Sequence, residues 1–190
     1  MTDPDGNGRD SGDDTQGGGA GAPENDSGRF DRLPATESQR EVPGRPTREA
    51  VLDFWAERFG VPPETFDEHS FWERGSGKIW AFQGDLPSPV EIEALGMAFL
   101  RTRQEHWKPT LEAVQRFGGH AEKNVIHLSR EQARTFLAGE DQEPEWDGDW
   151  GYLIVTHDLA GEREPLGVGL YVYDELRSQV PKGRRRELRS

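Results

Sequence analysis

Apolar residues recur at helical spacing early in the chain and at strand spacing later, and the change outlines two regions. From Thr47, a residue suited to cap a helix, Val51, Leu52, Trp55 and Phe59 return on one helical face, and Gly60 with Pro62 and Pro63 ends the run. Ser70–Arg74 and Lys78–Phe82 (SFWER and KIWAF) flank Gly75-Ser76-Gly77, the pattern of a hairpin. Ser88, Pro89 and Glu91 predict the start of a second helix, ending near Gly96. Met97–Gln104 reads as a strand that puts Arg101 and Arg103 on one side, beside Phe99. Pro109-Thr110 opens a third helix carrying Leu111, Val114 and Phe117, closed by Gly118-Gly119.

The second region has shorter periods. Asn124–Leu128 is a short strand, and Ser129 with Gln132 forms a capping box for a helix that buries Ala133, Phe136 and Leu137 and stops at Gly139. Arg130 and Arg134, four residues apart, share its other side. After the acidic stretch Glu140–Asp149, Tyr152–Thr156 is apolar on both faces, as in a central strand, and Asp158–Glu164 reads as a polar loop. The strand from Pro165 then alternates Leu166, Val168, Leu170 and Val172 with Gly167, Gly169, Tyr171 and Tyr173. Its glycine face predicts bare backbone that a second chain can approach.

Charge changes the picture at both ends. The 190 residues carry 36 acidic against 23 basic side chains, a net charge of -13, with only four lysines and no cysteine. Such a balance suits a protein kept hydrated in a salt-rich cytoplasm. Without cysteine there is no disulfide, thiolate metal site or cysteine nucleophile. No apolar run approaches ~18 residues, so neither a membrane span nor a signal peptide is expected. Met1–Ser27 is Gly- and Asp-rich without aromatic or branched aliphatic residues, and is expected to be disordered. Residues 28–46 read as linker, with Phe30 and Leu33 able to dock on a folded body.

Against that acidic background Arg177, Lys182, Arg184, Arg185 and Arg186 gather after the glycine strand, a cationic end placed for a polyanion; a solvated C-terminal tail is the alternative. Arg101, Arg103 and Lys108 form a second candidate patch, set against ordinary surface charge, with Lys108 ahead of a helix N-terminus. Of the six tryptophans, Trp55 and Trp80 belong to the core, Trp146 and Trp150 sit among aspartates and cover a barrel end, and Trp107 is the base-stacking candidate. The five histidines lack the paired spacing of a zinc helix, and Glu140–Asp149 lacks that of a calcium loop. Gly167-Val168-Gly169 opens no helix, so it is no dinucleotide fingerprint. Neither a metal nor a cofactor is expected.

The runs NVIHLSREQARTFLAGED, WGYLIVTHD and PLGVGLYVYDELRSQVPKGRR, in that order, resemble a PUA domain, the RNA-binding pseudo-barrel. Ahead of them VLDFWAERFGVP, KIWAF, ALGMAFLRT and HWKPTLEAVQRFGGHAEKNVIHL resemble the pre-PUA module of a large-subunit ribosome-assembly factor and of the C-terminal extensions of Sun-type RNA cytosine methyltransferases. The whole chain is also similar to a haloarchaeal family with no assigned function. The methyltransferases' catalytic cysteines and cofactor-binding motif have no counterpart here.

The expected fold class is α+β. A disordered acidic tail and linker (1–46) precedes a small α/β pre-PUA module (47–121) and a PUA-like β pseudo-barrel (122–190). The resemblance implies a non-catalytic RNA-binding protein, its partner a structured ribosomal or transfer RNA, serving ribosome assembly or RNA modification. Without an expected span or signal peptide, the protein is expected to be cytoplasmic. An adaptor docking on a separate RNA methyltransferase or on the pre-ribosome is one rival reading. A small enzyme or small-ligand binder using the barrel mouth is another, for which the sequence offers no convergent set of polar groups. In the RNA-binding role helix 129–138 with Arg130 and Arg134, the strand of Gly167 and Gly169, and the basic end are expected to clamp the RNA, whereas an adaptor would dock through apolar strand edges. Changing Arg184 and Arg185 to glutamate is expected to weaken RNA binding without lowering the melting temperature.

Overall fold

The computed structural model describes residues 28–187, with side chains as far as Arg185; the tail expected to be disordered, 1–27, lies outside them. The stretch expected as linker begins with a strand, β1 (Arg29–Arg32). Its Phe30 is fully buried with Trp72 and Leu95, its ring edge-on to Trp80 at 5.6 Å. Asp31, on the opposite face, accepts from Arg29 at 2.7 Å and lies 3.5 Å from Arg45, which also holds Glu73 at 2.7 Å. One aromatic between charges gives almost no alternation signal, so only these long-range partners make β1 a strand.

Helix α1 (Arg48–Phe59) forms as its pattern predicts. The Thr47 hydroxyl accepts from the Ala50 amide at 3.0 Å, and Gly60 ends the helix at φ +64°. Val51, Trp55 and Phe59 are buried on the inner face, where Phe66, Phe71, Phe99 and Phe117 complete an aromatic core with centroid spacings around Phe99 of 5.0 to 5.8 Å. The predicted hairpin is present as β2 (His69–Glu73) and β3 (Lys78–Gln83).

No helix forms over 88–96. Val90–Glu91 is a two-residue strand, β4, paired with β1 so that Val90 faces Phe30. The Ser88 hydroxyl accepts from the Arg32 amide at 3.0 Å instead of capping a helix. Burial of Leu95 beside Phe30 and Trp72 fixes the extended path, and Gly96, at φ +55°, passes so close to the Ala81 carbonyl that any side chain would collide with it. Tertiary packing overrides the local capping pattern here.

Strand β5 (Met97–Arg101) stops before the predicted Gln104, because the Thr102 amide turns to donate to the Gly77 carbonyl at 2.9 Å. After β6 (Lys108–Pro109) and α2 (Leu111–Phe117, capped by Thr110), the first sheet is complete in the order β4-β1-β2-β3-β5-β6.

The second sheet has the order β10-β9-β8-β7. Strand β7 (Val125–His127) runs parallel to β8 (Gly151–Leu159), with α3 (Arg130–Leu137) in the connection between them. The full capping box of Ser129 and Gln132 is in place on α3. The loop expected over 158–164 is a tight hairpin: Ala160 and Gly161, at φ +53° and +90°, join β8 directly to β9 (Glu162–Val172). A second such turn at Tyr173-Asp174 leads to β10 (Glu175–Ser178), and α4 (Lys182–Glu187) closes the described chain. The protein is α+β. Ile154 and Val168 of the second sheet belong to the first region's core, and Gly118 lies 3.2 Å, at the position of an added Cβ, from Ile154 and Pro165. Among the described residues no helix is long and apolar enough to cross a membrane.

Candidate nucleic-acid interface

Pairing in the first sheet brings three cations into line. Lys78 of β3 stands opposite Arg101 of β5, and Arg101 stands opposite Lys108 of β6. Directly opposed residues of antiparallel strands project to the same face, so the three charges form a row perpendicular to the strands, spaced by roughly 4.8 Å per strand. Lys78 and Arg101 are exposed and Lys108 is half-buried. Lys108 reaches across to the second sheet, donating to the Gln179 side chain at 2.5 Å and lying 5.7 Å above the Tyr152 ring. Burial and the neighbouring Arg101 both lower its pKa from the ordinary lysine value.

Arg101, Lys108, Gln179 and Pro181 line a groove of about 590 Å³ between β5, β6 and the start of α4. Glu112 of α2 also lines it and holds Arg184 of α4 at 3.6 Å, so a fourth cation borders the groove. Arg101 and Lys108 line the groove itself, with Lys78 beside Arg101 in the row and Arg184 on Glu112, and cross-strand like charges that cost stability are compensated when an anion binds between them.

The other residues singled out from sequence divide among separate places. Arg103 lies beyond β5, its backbone packed tightly over Gly77, and is not in the row. Arg130 and Arg134 are exposed on α3 and do not line the groove. Arg177 donates to Glu175 at 2.7 Å and lies near Asp141, in acidic surroundings. Lys182 is exposed on α4; the side chain of Arg186 lies outside the described residues. Arg185 is structural: its Nε donates to the Val180 carbonyl at 2.8 Å, and its guanidinium occupies the space a side chain at Gly139 would need. Glutamate at 185 would therefore disturb the packing at Gly139, and glutamate at 184 would face Glu112, the partner Arg184 holds at 3.6 Å.

Gly167 and Gly169 correct the sequence reading most clearly. Both are buried, and neither offers bare backbone to another chain. A Cβ on Gly167 would come within 2.8 Å of the Leu111 side chain, and one on Gly169 within 2.5 Å of Leu176 and 3.0 Å of Val155. The glycines make room for this chain's own side chains, Leu111 of α2 at Gly167 and Leu176 of the neighbouring strand β10 at Gly169.

Trp107 is half-buried against Phe54, ring centroids 5.6 Å apart, and faces a different cleft from Lys108. Among the described residues no three histidine or carboxylate side chains are grouped to hold a metal ion. Lys78 was not a sequence candidate. Its signal was present in the hairpin strand, but its relation to Arg101 depends on β3 pairing with β5, which no local pattern specifies.

Comparison with known proteins covers both sheets. Residues 123–186 match the family model of the methyltransferase RsmF PUA domain, and residues 13–96 match a family of unknown function (DUF7122). The ribosomal RNA small subunit methyltransferase F of Aeromonas salmonicida (strain A449) is 25% identical over 157 residues, 80% of this chain and 29% of the relative. That of Aliivibrio fischeri (strain MJ11) is 24% identical over 119 residues, 61% of this chain and 24% of the relative. The chain thus spans less than a third of the length of these relatives. Its four-stranded sheet, with α3 and α4, is similar to the PUA domain of methyltransferase RsmF, in agreement with the resemblance carried by the sequence motifs.

Proposed function

We propose that this protein binds structured RNA, ribosomal or transfer, and contributes recognition rather than catalysis to RNA modification or ribosome assembly in the cytoplasm. The observation that carries the reading is the row Lys78–Arg101–Lys108, extended by Arg184, on a chain of net charge -13. Nothing in the fold requires three cations to face one another across adjacent strands; phosphates give them a partner. The similarity of residues 123–186 to a PUA domain of a ribosomal RNA methyltransferase supports RNA as the polyanion. Since the matched relatives extend far beyond the shared region, a separate methyltransferase or the pre-ribosome is the natural partner for a recognition unit of this kind.

Arginine forks suit phosphate oxygens, and Arg101 and Arg184 both border the groove. In concentrated salt the counterion-release contribution shrinks, so shape fit and bidentate bonds carry more of the affinity. Titration of a labelled hairpin from small-subunit ribosomal RNA at several salt concentrations tests the reading. Affinity is expected to fall with salt at a slope of about -0.7 to -0.9 per phosphate contacted. Absence of binding, or binding indifferent to salt, contradicts it.

A further inference from the structure

On the other side of Trp107 lies a cleft of opposite character. It has a volume of about 640 Å³, within the range of small-ligand sites, and is walled by α1, by the turn before β6 and by the start of β8. Trp107 packs on Phe54 at 5.6 Å, and Trp150 is 62% exposed with His106 edge-on to it at 5.0 Å. Asp53, Glu57, Glu105 and Asp149 supply four carboxylates to the lining, against one guanidinium, that of Arg58.

Arg58 is already committed. It lies 3.8 Å from Asp149 and donates to the carbonyls of Trp150 at 2.8 Å and Tyr152 at 2.9 Å, fixing the wall that carries Trp150. No described cation forms an ion pair with Asp53, Glu57 or Glu105. Exposed carboxylates beside tryptophan faces repel phosphate and attract positive charge, and an aromatic face adds cation–π attraction of about 0.5–2 kcal/mol. An apolar stem behind the cation would lie along the same rings.

We propose that this cleft binds an organic cation, a guanidinium or ammonium group on an aliphatic stem. Its source is either a free polyamine or an arginine side chain of a basic protein. The site is separate from the cation groove, and the inference stands whether or not that groove binds RNA.

The test uses the full chain, titrated by calorimetry with spermidine in one arm and with a short arginine-containing peptide in the other. At least one is expected to bind, and which one does identifies the source. Trp150→Ala, which changes no charge and removes an exposed ring, is expected to weaken that binding by roughly fivefold or more. Glu105→Gln is expected to weaken it as well, while Glu143→Gln with Glu145→Gln, outside the cleft, leaves it unchanged. Failure of both probes to bind, equal affinity in the Trp150→Ala variant, or equal loss in the distant variant overturns the proposal. The last two outcomes reduce the effect to the net negative charge. A parallel RNA titration of Trp150→Ala is expected to match the unaltered protein, which separates this site from the RNA reading.

Discussion

Arg101 on β5 stands directly opposite Lys108 on β6, and the two like charges are joined by no carboxylate of either strand. Opposed like charges in a sheet are destabilising. Arg101 also disfavours the charged form of Lys108, whose pKa is lowered. Replacing Arg101 with glutamine is therefore expected to leave the melting temperature unchanged or raise it slightly, while RNA affinity falls several-fold. Thermal denaturation together with RNA titration checks this. A purely structural role for Arg101 would move both in the same direction.

Gly169 tests whether the glycine strand serves packing. A methyl group there meets Leu176 and Val155 in a closed core. Gly169→Ala is expected to destabilise the protein by about 1–3 kcal/mol in urea unfolding. RNA affinity of the folded fraction should be unaltered. Loss of affinity at full stability would return this strand to the binding surface.

His69 gives the fold a pH dependence of known sign. Its Nδ1 is buried without a hydrogen-bond partner, and its ring sits edge-on to Phe117 at 5.3 Å. Burial lowers its pKa, as do the facing Arg116 and Arg48, with Glu68 opposing them. A histidine held neutral in the folded state binds its proton more weakly there than when unfolded. Its contribution to stability is thus complete above about pH 6.5 and declines as pH falls below that value toward the lowered folded pKa. Between about pH 7 and pH 5, the stability of His69→Phe is expected to fall less than that of the unaltered protein in denaturant titrations. Parallel curves for the two would remove His69 as the cause.

What the sequence made legible was local. Thr47, Gly60 and the capping box at Ser129 bound α1 and α3 as their spacing indicates, and the hairpin around Gly75-Ser76-Gly77 forms in register. What it hid depends on partners far away in the chain. Arg29–Arg32 is a strand because Phe30 finds Trp72, and the Ser88 pattern gives no helix because Val90 pairs opposite Phe30. The site divides in the same way. Arg101, Lys108 and Arg184 are recognisable as cations along the chain, but the row of Arg101 and Lys108 with Lys78 is created by the strand order β3-β5-β6, and Arg184 is brought toward the groove by Glu112. Gly167 and Gly169 misled for a related reason: the same missing side chain that exposes backbone also admits Leu111 and Leu176, and only packing decides between the two.

The cation row is tested most directly by its removal. Lys78, Arg101 and Arg184 are exposed and can be changed together to glutamine without opening the core. The measurement is the dissociation constant of the triple variant for a structured ribosomal RNA hairpin, at fixed salt, beside that of the unaltered protein. With each lost phosphate contact weakening binding, a drop of about tenfold or more is expected, with a shallower salt dependence and an unchanged melting temperature. Equal affinity and equal salt slope in a folded triple variant would contradict the claim that this face binds RNA.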